Sequence, residues 1–177
     1  VDYDTYEFGA QYLSYFLTPA TVALAVPLYE QIEPLKNNWK AIIAGILSGA
    51  LTSALCVLIL SIVMGLDHKQ YVTLLPKSIT TAIGMGLSDE LGGIVTITVA
   101  VIVVTGVIGN MFAEQICKLF HITDPVAKGI AIGSSAHAMG TAKAMEMGEI
   151  EGAMSSLSIA VSGLLTVVVS LIFAQIY

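Results

Sequence analysis

The sequence predicts an all-α polytopic membrane protein made of three tandem units, each a broken helix followed by a transmembrane helix. Composition is the first reason. Of 177 residues, 56% are hydrophobic and only 11% charged, with a mean hydropathy of +0.86, whereas a soluble domain carries about 25% charged residues. The second reason is run length. Ala41–Leu66, Gly92–Ala113 and Gly152–Tyr177 contain no charge, and a bilayer takes about 20 apolar residues. Phe8–Tyr29 is equally free of charge but contains Pro19 and Pro27. A soluble bundle would show polar faces at helical period, which these runs lack. The third reason is recurrence. Pro19, Pro76 and Gly133 are spaced by 57 positions, as are Ser48-Gly49, Thr105-Gly106 and Ser162-Gly163.

Six segments follow in order. Segment a runs from Gly9 to Glu30 and is broken by Pro19 and Pro27. Segment b, Trp39 to Met64, is a conventional span. Segment c, Tyr71 to Leu91, is broken by Pro76 and Lys77, and segment d, Gly93 to Leu119, is again a span. Segment e, Pro125 to Met147, is broken at Gly133, Ser134 and Ser135. Segment f, Gly152 to Tyr177, closes the chain. Segments c and e match at a step of 56, pairing Ser78, Ala82, Gly84, Glu90 and Gly92 with Ser134, Ala138, Gly140, Glu146 and Gly148. Self-similarity at a fixed period marks repeat architecture. The whole chain, 1–177, therefore reads as one transmembrane domain with units at about 9–66, 70–119 and 125–177. Val1 opens it without an initiator methionine or a signal-peptide pattern. The expectation is a truncated N-terminus preceded by further membrane segments.

Loop lysines address the orientation of the units. If every segment crosses, Lys36 and Lys40 oppose Lys69, Lys118 and Lys128. If a, c and e enter and leave on one side, Lys36, Lys40, Lys118 and Lys128 share a face and Lys69 stands alone. The positive-inside rule prefers the second arrangement. Successive units are then inverted, with re-entrant or discontinuous helices, as in many transporters.

Polar residues concentrate in the broken segments. Residues 133–149 read GSSAHAMGTAKAMEMGE, although ionisable groups at membrane depth are costly and irregular backbone survives there only inside protein or beside a water-filled cavity. A half-helix starting near Ser134 and Ser135 would offer exposed amides and a positive dipole end to an anion. Gly140 joins a small packing face, while Ser134, His137 and Thr141 form a polar one. His137 reads equally as a substrate or proton group and as a neutral imidazole donating to a carbonyl. Lys143 is a counter-charge candidate, with pairing to Glu146 slightly favoured. Lys77, Ser78, Thr80 and Thr81 repeat this chemistry after Pro76, where a proline frees backbone groups, so the two sites could face one another across a midplane cavity. Thr18, Pro19 and Thr21 are a weaker third set. A lone hydroxyl usually back-bonds to its own helix.

Other features point away from chemistry. Ser158, Ser162, Thr166 and Ser170 form a stripe at four-residue steps, as do Gly45, Gly49 and Ser53; both read as tight helix contacts, although the first stripe could line a path. Glu146, Glu149 and Glu151 read as a solvated loop. Cys56 and Cys117 have no disulfide or metal spacing, and no metal or cofactor site is expected. A net charge of −6 with seven scattered lysines and no arginine argues against a nucleic-acid partner. Without a nucleophile–base pair or a phosphate loop, an enzyme is not expected.

Taken together, LTPATVALAVPLYEQ, LLPKSITTAIGM and GSSAHAMGTAKAMEMGEIEGAMSSL make the whole chain resemble the LrgB/CidB family of bacterial membrane proteins. The resemblance implies a multi-pass protein of the bacterial cell membrane, surrounded by lipid and paired with a holin-like LrgA/CidA-type subunit. It also implies one of two roles. One is transport of a small monocarboxylate, since relatives include the plastid glycolate/glycerate translocator and bacterial pairs implicated in pyruvate uptake. The other is antiholin-like modulation of murein hydrolase activity and autolysis. A carboxylate would sit at Ser134 and Ser135 with Lys77 as counter-charge, and a homo-oligomer is expected.

Overall fold

The computed structural model describes residues 32–177, together with the single positions Tyr12, Pro19 and Tyr29. Apart from those three positions, segment a, the first unit's broken half, lies outside the described residues, Thr18 and Thr21 included; Pro19 is a helical, exposed position. Six helices make up the described part, with no strand among the described residues: α1 (Ile32–Met64), α2 (His68–Leu74), α3 (Thr81–Glu90), α4 (Val95–Leu119), α5 (Pro125–Met147) and α6 (Glu149–Phe173). Lys36–Met64 of α1, all of α4 and all of α6 are long and apolar enough to cross a membrane.

Local sequence explains the ends. Asp67 and Gln70 form a reciprocal capping box that starts α2. The Asp124 carboxylate accepts from the Ala127 amide, with Pro125 in the first turn of α5, where its missing N–H is no loss. Gly92, at φ 76°, supplies the left-handed residue that turns α3 into α4.

α1 and α6 run parallel. Near their starts, Ile42 and Ile46 of α1 pack with Ala153 and Met154 of α6 and with Ile130 of α5. Near their ends, Ala54 and Val57 pack with Val169, and with Tyr71 and Val72 of α2. Tyr71 Oη donates to the Phe173 carbonyl at 3.0 Å, and Tyr177 Oη to the Leu66 carbonyl at 2.6 Å. These bonds fix the α1–α2 turn to the end of α6.

Between these spans the chain makes two hairpins from opposite ends. In the first, α2 descends and α3 returns. Thr98 Oγ1 of α4 bonds both the Thr73 carbonyl of α2 (2.9 Å) and Ser88 Oγ of α3 (2.7 Å), so residues 73 and 88 lie at one level. Deeper, Gly84 faces Pro76 and Ile102. The tip is the Pro76–Thr80 turn, where the Leu74 carbonyl accepts from the Lys77 amide and that of Pro76 from the Ile79 amide.

The second hairpin is α5 itself. Its two arms join at His137, whose φ of 42° and ψ of −140° are not helical. Gly140 lies against Ile132 and Ala136, and Gly133 and Thr141 both meet Ser155 of α6. A straight helix would hold residues 132 and 140 about 12 Å apart at 1.5 Å per residue; the arms therefore fold back. The sequence-based break at Gly133–Ser135 is corrected to His137, because Ser134 and Ser135 continue the first arm by donating to the Ile130 and Ala131 carbonyls at 2.7 and 2.6 Å.

Both hairpins thus enter and leave at one end each, and α4 and α6 carry the chain across. The starts of α1, α5 and α6 share an end, which places Lys36, Lys40 and Lys128 together, with Lys118 at the end of α4 beside them. Lys69, in α2, is at the opposite end.

Candidate functional site

A cavity of about 620 Å³ opens between α1, the first hairpin's tip and the first arm of α5. Gly45, Ser48, Gly49, Thr52 and Ser53 supply one wall, and Ile130, Ala131, Ser134 and Ser135 the other. Glycine at 45 and 49 lets these helices approach. A Cβ at Gly49 would stand 3.2 Å from Ser134 Oγ, and one at Gly45 3.1 Å from Ile130 Cγ2. Lys77 and Ser78 close the deep end, where Ser78 Oγ shares a 3.2 Å hydrogen bond with Ser53 Oγ. That bond ties the hairpin tip to α1, and with it the neighbouring ammonium.

Lys77 is the one charged residue lining this cavity among the described residues. The same cavity is lined by the hydroxyl-bearing residues Ser48, Thr52, Ser53, Ser78, Ser134 and Ser135. Three of these are parked on their own helices, with Ser48 bonding the Gly45 carbonyl at 2.8 Å and Ser134 and Ser135 bonded as above. A hydroxyl rotor can leave such a back-bond for a stronger, charged acceptor. The arrangement can hold a small anion by one ammonium and several reorienting hydroxyls. The exposed amides expected at Ser134 and Ser135 are not part of it, because both residues lie within the first arm of α5 and bond back to its carbonyls.

Elsewhere the singled-out residues separate. His137 is buried, and its Nε2–H donates to the Ile102 carbonyl at 2.9 Å; a carbonyl only accepts, so Nε2 carries the proton. Thr141 Oγ1 bonds the His137 carbonyl and Ser155 Oγ. Gly133 and Gly140 are close contacts within the hairpin and against α6. Lys143 lies outside the cavity lining, paired with Glu114 at 2.9 Å and Glu146 at 3.1 Å. Thr80 precedes α3 without capping it by its side chain, and Thr81 begins it; neither lines the cavity.

Sequence reasoning passed over Ser48, Thr52 and Ser53 as cavity residues. Their signal was present, since Gly45, Gly49 and Ser53 share one face, but such a stripe reads equally as packing. The serine stripe of α6 is buried and, among the described residues, is not part of the Lys77 cavity. Glu151 is likewise not solvated; it is 8% exposed and 3.6 Å from Lys128.

The fold and cavity define an all-helical, polytopic membrane protein with opposed re-entrant hairpins. The chain belongs to the LrgB-like family, whose model matches residues 1–176. It is 40% identical over 167 residues to the antiholin-like protein LrgB of Bacillus cereus strain B4264, covering 94% of this chain and 73% of that protein. The antiholin-like protein LrgB of Bacillus anthracis strain CDC 684 / NRRL 3495 is similar to the same extent. No solved structure matches the chain significantly.

Proposed function

We propose that the protein is a carrier or channel for small monocarboxylates of the pyruvate, glycolate or glycerate class, set in the bacterial inner membrane. The observation that carries this reading is the Lys77 cavity. One lysine at a hairpin tip, sharing a cavity between apolar helices with six hydroxyl-bearing residues, matches one carboxylate with an adjacent oxygen. Lys77 would meet the carboxylate, Ser78, Ser134 and Ser135 would turn their hydroxyls toward it, and Ser53 would position the tip. A group of two or more negative charges would leave charge unpaired in a low-dielectric site. The end bearing Lys36, Lys40, Lys118 and Lys128 would face the cytoplasm. A holin-like LrgA/CidA-type subunit and a second copy of this chain would complete the assembly, and no enzymatic step is part of this reading.

Proteoliposomes holding the full-length protein, with and without its partner, test it by uptake of labelled pyruvate or glycolate. Saturable uptake is expected, falling at least tenfold in Lys77→Gln and largely kept in Lys77→Arg. Equal uptake by Lys77→Gln would sink this assignment.

A second reading, regulation of murein hydrolase activity and autolysis, is favoured by a specific observation. The relatives at 40% identity are named antiholin-like, so the names support regulation more directly than transport. In that reading the small-residue faces dock a lytic pore and no metabolite moves. Autolysis rates in a deletion strain complemented by Lys77→Gln separate the two. Full complementation by Lys77→Gln together with absent uptake by the unaltered protein in liposomes would leave regulation alone.

A further inference from the structure

The two hairpins make the same contacts at a constant step. Within the first, Gly84 faces the side chain and carbonyl of Pro76; within the second, Gly140 faces the side chain and carbonyl of Ile132. Both residues are displaced by 56. Thr98 bonds both arms of the first hairpin, and Ser155, displaced by 57, meets both arms of the second. Between the halves the contacts are exchanged. Ile83 of the first hairpin sits at Gly163 in the middle of α6, where a Cβ would stand 3.0 Å from Ile83 Cδ1. Met139, displaced by 56 from Ile83, sits at Gly106 in the middle of α4, displaced by 57 from Gly163; a Cβ there would stand 2.9 Å from Met139 Sδ. An exchange of this kind is what an inverted two-fold repeat produces.

The halves nonetheless differ in how the hairpins are held. The second is tied to α4 by polar bonds, His137 Nε2–H to the Ile102 carbonyl and Asn110 Nδ2 to the Met139 carbonyl at 2.7 Å. The equivalent positions, Thr81 of the first hairpin and Val167 of α6, form no such bonds to Ile159 and Ile83; the first hairpin is held instead at its tip by the Ser78–Ser53 hydroxyl pair to α1 and at mid-span by the apolar contact of Ile83 on Gly163. Both hairpins are seated at their glycines in this state, and inverted repeats work as alternating-access devices by gating or rocking of one repeat against the other.

We propose that the hairpins are paired gates of a carrier: substrate passes only as one leaves its glycine notch, Gly163 or Gly106, while the other stays seated. This rests on the transport reading and deepens it by choosing a carrier over an open channel. The test links each hairpin in turn to the span that carries its notch, through the cysteine pairs Ile83→Cys/Gly163→Cys and, one turn beyond Gly106, Asn110→Cys/Met139→Cys, with Cys56 and Cys117 replaced by alanine. Glycolate uptake is compared in the same liposomes before linking, after linking and after reduction. Either link is expected to lower uptake at least tenfold, with recovery on reduction. Uptake that persists under either link overturns the gate proposal alone, whereas absent uptake before linking overturns the transport reading beneath it. Should a pair not link, the single variants Ile83→Cys and Met139→Cys are labelled with an impermeant thiol reagent. Glycolate is expected to change their reactivities in opposite directions, and unchanged reactivity at both overturns the proposal.

Discussion

Gly106 leaves room for an imidazole. A Cβ there would stand 2.5 Å from His137 Cε1 and 2.9 Å from Nε2, too close for carbon to tolerate without movement of the ring. Overpacking of this kind costs about 1–3 kcal/mol. Gly106→Ala is therefore expected to lower the unfolding midpoint in detergent, and adding His137→Ala to recover part of the loss. Strict additivity of the two changes would show that the ring does not occupy this space. The Thr141–Ser155 hydroxyl pair, 2.7 Å apart and buried, offers a second residue-scale test. Interhelical bonds of this kind are worth about 0.6 kcal/mol, with a maximum of about 1.7. Thr141→Val and Ser155→Ala are expected to destabilise singly, with the double variant losing less than both together. At this scale the sequence marked His137 as unusual, yet both of its readings, ligand and neutral donor, fitted the residue alone. Only the carbonyl of a residue 35 positions away selects the donor.

At the scale of elements, α5 shows what periodicity reveals and hides. Its polar run announced a break, and the match of segments c and e announced two similar breaks. The location of the second was not legible. Serine satisfies helical carbonyls as readily as it caps a helix, so Ser134 and Ser135 carried no decisive sign, while the tip fell on a histidine at positive φ. The Pro76 break was legible because proline has one meaning inside a helix. Lys143 was placed by the same uncertainty. Its pairing with Glu114 joins the returning arm of α5 to the end of α4, and neither residue lines the Lys77 cavity. Lys143→Gln is accordingly expected to leave the apparent affinity for monocarboxylate unchanged in the liposome assay, whereas Ser134→Leu, which fills the cavity wall, is expected to weaken it at least tenfold. A rise in KM for Lys143→Gln would return that lysine to the binding site.

For the whole molecule, the two hairpins must open to opposite faces of the membrane, because each is fixed to a different end of the bundle. The first rests on Thr98 near the start of α4, and the second on Ser155 near the start of α6. α4 and α6 run in opposite directions, since α4 ends where α5 and α6 begin. Lysine asymmetry hinted at this inversion, but five loop charges could not distinguish a helix that crosses from one that turns back; the paired contacts do. Exposed positions at the two bases, Asp89 in the last turn of α3 and Glu149 in the first turn of α6, supply the measurement. In intact cells an impermeant thiol reagent is expected to label Asp89→Cys, on the side of the lone Lys69, and to reach Glu149→Cys only after permeabilisation. Both bases labelled from one side would mean that one broken segment crosses the bilayer, and the opposed-hairpin architecture would fall with it.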